Sequence, residues 1–385
     1  MLPRPSFDDA GASWPPEQEK RRPRRWLLWL PFVLLMLLAA GWTGGWFYAA
    51  SVAEKKIEEW RAREAQRGRI YACGSQTIAG FPFRFEVHCV EPRAELRQQN
   101  LSLKASDMLS VVQVYKPTHA ISEFTGPLTV QEPGGALLIA NWKLAQASVS
   151  GLPSAERISV VLDAMTVDRT VSQISSAFFK ADHVEAHSRL APRLPSDPPV
   201  VDLALQLSNA TAPNLHPITT KPTNVDVTAT ARGVKDLSPK PWQALLRDWQ
   251  AAGGSLDIAK ARLQQDDMIV VGDGAMSLNA RGALDGQLRI TVVGLEKLIT
   301  ALGVERAISQ DSTVGRLSGA LDRVMPGLGN LTRDRAAPSL LATGAAMLGQ
   351  KTELEGKPAV SLPLRFADGA VFFGPLRVGQ IAPVF

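Results

Sequence analysis

From about residue 70 onward the chain is written in short runs whose alternate positions are apolar. In VVDLALQLSNA (200–210), Val201, Leu203, Leu205 and Leu207 are apolar, with Asp202, Gln206 and Ser208 among the positions between them. Residues 224–233 repeat this with Val225, Val227, Ala229 and Ala231. Residues 282–294 repeat it with Leu284, Leu288, Ile290 and Val292 set against Asp285, Gln287, Arg289 and Thr291. Successive side chains of a strand point to opposite faces, so each run predicts a strand with one apolar and one polar face, as in antiparallel sheets. Similar runs lie at 101–105, 110–115, 127–131, 136–149, 157–168, 255–263, 268–280 and 370–378. Helices are few. Residues 241–254 place Trp242, Leu245, Leu246 and Trp249 at one-face helical spacing between a proline and a glycine, and 294–303 and 337–349 do the same on a smaller scale. The expected fold is mainly β: an elongated, curved antiparallel sheet with a few short amphipathic helices. Its two β-rich halves, 68–195 and 196–385, are divided near the proline-rich APRLPSDPPV at 191–200.

Ahead of the sheet the pattern changes. Trp26 to Ala50 contains no charged residue. At a rise of about 1.5 Å per residue this run spans a hydrocarbon core about 30 Å thick, so it predicts a single transmembrane helix with tryptophans near both ends. Lys20, Arg21, Arg22, Arg24 and Arg25 directly precede it and, by the positive-inside rule, keep the N-terminus cytoplasmic and export everything beyond residue 50. A cleaved signal peptide ending at Ala53 is the rival reading, but secretory apolar cores run to about 7–15 residues, which favours an uncleaved anchor. Residues 1–25 read as a disordered, basic cytoplasmic tail. Residues 51–67, free of proline and glycine, read as a helical stalk. The net charge of +5 is concentrated in the KRRPRR segment and does not predict a nucleic-acid surface.

The most regular alternation, GFPFRFEVHC at 80–89, puts Phe81, Phe83, Phe85 and Val87 on one strand face with Cys89. Pro82 cannot donate to a ladder and places this strand at an edge or at its first positions. Cys73 and Cys89 are the only cysteines, and in an exported domain they are expected to form a disulfide. In the chain-entropy model that loop would stabilise by about 3 kcal/mol.

Catalytic signatures are missing: no GxSxG, HExxH, P-loop or GxGxxG is present, and GDG at 272–274 reads as a turn. The five histidines are scattered. His183 and His187, four apart, would share a helix face near Asp182 or Glu185, but such a pair lacks the rest of a coordination shell and a solvated segment accounts for it. No catalytic residue, metal site or cofactor is expected.

Several motifs carry a resemblance: Gly74, separated by five residues from GFPFRF, WKLA at 142–145, LxxWQxxGGxLxIxxxxL at 246–263, GxGxMxLxxxGxLxGxLxxxVxGLxxL at 272–298, and PLRFxDGxVFFGPLRVG at 363–379. Together they resemble the bacterial domain-of-unknown-function family 2125, which implies no active site. The succession of strands and turns is also similar, in architecture, to AsmA-like envelope proteins. That likeness implies an inner-membrane anchor and a long sheet groove linked to lipid movement. The expectation is a non-enzymatic, single-pass inner-membrane protein with a periplasmic sheet that binds or conveys lipid or another hydrophobic ligand. The alternatives are a structural or assembly factor binding another envelope protein without lipid and, third, a hydrolase with a dispersed site.

Overall fold

A computed structural model of the chain describes residues 26–152, 154–192, 199–234, 242–302, 349–373 and 376–385. The basic cluster at 20–25, the proline-rich boundary at 193–198 and the helix expected at 337–349 lie outside the described residues, the last apart from Gly349. The chain divides into two compact units, one ending at Val52 and one spanning Ala53–Phe385.

The first unit is the apolar part of helix α1 (Trp26–Gln66), which runs without a break through residue 50 into the segment expected as a stalk. It is long and apolar enough to cross a membrane. Leu34 and Leu38 stand 67 % and 71 % exposed, so the apolar side chains project outward from the helix. The hydroxyls of Thr43 and Ser51 donate to the carbonyls of Ala39 and Tyr48, each at 2.8 Å, which leaves no donor of theirs facing hydrocarbon.

The second unit is an open, curved antiparallel sheet. Its first strands are β1 (Arg69–Ala72), β2 (Ser75–Ala79), β3 (Arg84–Val90), β4 (Arg93–Leu96), β5 (Leu101–Lys104), β6 (Asp107–Gln113), β7 (Lys116–Thr125), β8 (Leu128–Gln131), β9 (Leu137–Asn141) and β10 (Leu144–Ser150). They are followed by β11 (Arg157–Val171), β12 (Ile174–Leu190), β13 (Val200–Ala210), β14 (Thr223–Arg232), β15 (Ser255–Gln265), β16 (Met268–Leu278) and β17 (Leu284–Val293). The last are β18 (Gln350–Leu354), β19 (Lys357–Ala367), β20 (Ala370–Phe373) and β21 (Leu376–Gln380). Helix α2 (Trp242–Ala251) precedes β15 and helix α3 (Leu295–Leu302) follows β17, both where the amphipathic spacing predicts them.

From β11 to β17 each strand pairs with the next, and β19 then pairs with β17. The expected division near residue 195 falls between β12 and β13, which pair from His183↔Ser208 to Leu190↔Val201. In an antiparallel ladder, partnered residues share a face. Three rows of partners therefore cross eight strands side by side. The first is Ile158, Ser188, Leu203, Ala229, Ile258, Gly274, Leu288, Leu364. The second is Val160, Ala186, Leu205, Val227, Ala261, Gly272, Ile290, Leu362. The third is Leu162, Val184, Leu207, Val225, Leu263, Val270, Val292, Val360. Apart from Ser188 every position is apolar.

This face is covered unevenly. Val292 and Leu362 are buried at one end, yet Leu203, Leu205 and Leu263 are 36–39 % exposed in the middle. On the opposite face Ile269, Val293 and Ala359 form a small buried cluster with Val271 and Leu354.

Two glycines let neighbouring strands of this sheet approach closely. Gly274 and Gly286 lie at φ +146° and +149°, and a Cβ there would approach Gln287 O to 2.2 Å and Ala275 O to 2.3 Å. Residues 272–274 are therefore interior to β16, not the turn their composition suggests, because adjacent backbones need the space that a turn glycine would leave empty. Gly274→Ala and Gly286→Ala should each destabilise the sheet by about 2–4 kcal/mol. Gly126→Ala, where the added methyl meets nothing nearer than 3.6 Å, should change stability by less than about 1 kcal/mol. Urea melts followed by far-UV circular dichroism check the ordering.

Candidate functional site

The candidate site begins where the sheet splits. One edge of β11 pairs with β10 along Arg157–Asp163 and with β9 along Thr166–Thr170, while its other edge pairs with β12 alone. Ala164, between the two stretches, has a left-handed backbone (φ 51°) and is the point of division. One branch runs β10–β7–β6–β3–β2 and the other β9–β8–β5–β4–β1. The branches meet again at their far ends. Cys73, just past β1, is bonded to Cys89 on β3, with the Cα atoms 5.4 Å apart.

Between the branches lies a cavity of about 490 Å³. Val87, Cys89, Met108 and Phe124 line it from one branch, and Tyr71, Ala94, Leu103 and Leu128 from the other. The last turns of α1 add Ile57, Trp60 and Arg61, with Trp60 stacked on Tyr71 at 4.9 Å between ring centroids. That packing is anchored by Glu64, which is buried and holds Arg67 at 3.1 Å and Arg69 in a second, shorter ion pair. The Arg69 hydrogen bond, opposed by burial, holds the Glu64 carboxyl below its ordinary range. The cavity wall is continuous with the apolar rows of the sheet, since Ile158, Val160 and Leu162 partner Val149, Ala147 and Ala145 on β10. Ser110 and Ser122 interrupt this wall but satisfy each other at 2.7 Å.

A second apolar hollow, about 430 Å³, lies at the Val201 end of the same face, where α2 sets Leu245, Leu246 and Trp249 over Leu190, Val201 and Leu256. The Trp249 indole donates to the Arg232 carbonyl at 2.7 Å and fixes the helix there. The surfaces of both hollows are mainly hydrocarbon, and the chemistry they offer is the shelter of apolar groups from water.

The residues of GFPFRFEVHC separate. Phe85, Val87 and Cys89 partner Val112, Ser110 and Met108 and face the cavity side. Phe81 and Phe83 do not share that strand: residues 81–83 form a turn, closed by Arg84 N donating to Gly80 O at 3.1 Å, and both rings are exposed. Pro82 has no N–H to offer a ladder, and the strand starts two residues later. Met108, Leu103 and Phe124, which complete the cavity wall, lie on β6, β5 and β7, whose partners include the non-adjacent strands β3, β8 and β10, and local alternation alone does not bring them together.

His183 and His187 are also relocated. They sit on strand β12, not on a helix, and their four-residue spacing leaves them on one strand face with Glu185 between them. Glu185 accepts from His187 Nε2 at 2.7 Å and lies 3.5 Å from His183 Nε2, while His183 Nδ1 is 2.6 Å from Asp163 and His187 Nδ1 is 2.9 Å from Ser159. The Asp163 hydrogen bond raises the His183 pKa, and the two histidines lower that of Glu185. The ladder is part of the polar face, which also carries Asp202 bonded to Arg189 and Asp226 bonded to Lys260. Among the described residues no group of three or more metal-ligand side chains converges.

A family model described as "Uncharacterized protein conserved in bacteria (DUF2125)" matches residues 46–382. The chain belongs to this family. The match covers the whole split sheet, both apolar hollows and the three rows, so these belong to the DUF2125 region of the chain. No curated protein matches the sequence.

Reducing the Cys73–Cys89 bond should open the far end of the branches in this DUF2125 sheet. With a sequence separation of 16, the expected loss is about 3 kcal/mol of unfolding free energy. Urea melts with and without reductant measure it, and a Cys73→Ser, Cys89→Ser variant should reproduce the reduced value and be insensitive to reductant.

Proposed function

We propose that this protein is a non-enzymatic, single-pass membrane protein whose sheet binds or conveys lipid or another hydrophobic ligand in the bacterial envelope. In this reading α1 anchors it in the inner membrane with the N-terminus cytoplasmic and the sheet in the periplasm, the orientation favoured by the basic residues at 20–25. A disulfide between the only two cysteines accords with an oxidising compartment. The observation that carries the proposal is the set of apolar rows, partly exposed at its middle and leading into a hydrocarbon-lined cavity. Extended exposed apolar surface on a water-facing domain marks an interaction site more often than it marks packing.

A second reading, a scaffold for another envelope protein, draws on the sheet edges. Strands β1, β2 and β21 each pair on one side only among the described residues, and such edges can accept a strand from a partner.

The two readings part at the cavity wall. Met108→Glu and Leu103→Glu each put a carboxylate into the hydrocarbon-lined space, which strongly disfavours an apolar occupant. Full-length protein reconstituted in phosphatidylcholine nanodiscs should bind a fluorescent acyl-chain probe saturably, and either substitution should weaken binding at least about tenfold. Unchanged binding in both variants would remove the cavity from the account.

A further inference from the structure

Three cations border the cavity: Arg61 from α1, Arg93 from β4 and Lys104 from β5. Arg93 and Lys104 are committed to one carboxylate, Glu91, at 2.7 and 3.5 Å. Arg61 differs. Its Nη2 donates to Gln76 Oε1 at 2.5 Å and approaches Cys73 Sγ at 3.1 Å, both neutral acceptors, and among the described residues it makes no ion pair with a carboxylate. A half-buried guanidinium at the rim of an apolar space is costly unless an anion meets it, and its planar fork matches the two oxygens of a carboxylate.

The size of the cavity narrows the anion. At about 490 Å³, with one side open, the space between the branches has room for a long acyl chain.

We infer that the cavity between the two branches is a site for a long-chain fatty acid, its hydrocarbon chain packed among Val87, Leu103, Met108 and Phe124 and its carboxylate held by Arg61. This rests on the reading of the cavity as an acyl-chain site and adds the head group. Gln76 and the Cys73–Cys89 bond then have a positioning role. They hold the guanidinium at the rim while the site is empty, and the same bond keeps the branches at the spacing an acyl chain needs.

The test uses the full-length protein in phosphatidylcholine nanodiscs with three photoreactive probes: palmitic acid carrying a mid-chain diazirine, the matching sixteen-carbon alcohol, and a diazirine-bearing phosphatidylglycerol. Crosslinked peptides are mapped by mass spectrometry. The acid should label peptides containing Leu103, Met108 or Phe124 about tenfold more than the alcohol. Arg61→Gln should bring the acid down to the level of the alcohol while leaving alcohol labelling in place, which also shows that the cavity still forms. Arg61→Lys, retaining a cation but losing the fork, should fall between. Equal labelling by acid and alcohol in the native protein, or acid labelling indifferent to Arg61→Gln, would overturn the carboxylate assignment and leave the acyl-chain reading standing. Preferred labelling by phosphatidylglycerol would overturn the fatty-acid assignment. Absence of cavity labelling by any of the three would overturn both the inference and the reading beneath it.

Discussion

One edge of β11 serves two strands, and the architecture of the split sheet follows from that sharing. Because β10 takes the first stretch and β9 the second, with the left-handed Ala164 between, the sheet divides into two branches from a common seam. Branches that diverge from a seam have a gap at their free ends. Here that end is held by the Cys73–Cys89 bond and by the Trp60–Tyr71 stack beneath the last turns of α1. A space bounded by a seam on one side and a covalent tie on the other keeps its width without being filled by side chains. Cavities maintained in this way differ from packing defects, which close up when neighbouring side chains can relax.

On the other side of β11 the constraint is parity. Any strand displaced by one residue would turn its apolar set to the polar face. The bulge in β15 meets this problem directly. Ile258 and Ala261 are three apart, so strict alternation would send them to opposite faces, and the register shift between them returns both to the apolar side. The result is a sheet with two chemically distinct surfaces, one of hydrocarbon rows and one of ion pairs and histidine–carboxylate contacts beside the small apolar cluster around Ile269. On the apolar face Val292 and Leu362 are buried, while Leu203, Leu205 and Leu263 stay part exposed, so much of that face is not consumed by a closed core.

Much of this was legible in the sequence, and the gaps have physical causes. Strands such as β13, β14 and β17 announce themselves because bulky aliphatics alternate with charged or amide residues. Strand β12 is the longest, yet it did not stand out: its apolar-face residues Val184, Ala186 and Ser188 are small or weakly apolar, and its histidines invite a helical reading. In the two branches β3, β5, β6, β8, β9 and β10 fall in runs the alternation predicts, while β1, β2, β4 and β7 are hidden, since their apolar positions are few or interrupted. Of the three phenylalanines in GFPFRFEVHC, only Phe85 joins Val87 and Cys89 on the strand, because period-two reasoning does not register the turn around Pro82. The cavity itself was invisible, since a wall facing a neighbour and a wall facing a ligand have the same alternation.

The account's central claim is that the apolar rows are a working surface and not merely an incompletely covered core. The most direct measurement is photocrosslinking in living cells with a benzophenone amino acid placed at Leu205, on the exposed middle of the rows, and at the adjacent Ala204, on the polar face. The account predicts acyl-lipid adducts at Leu205 and none at Ala204. Adducts only to protein at Leu205, or equal lipid adducts at both positions, would contradict it.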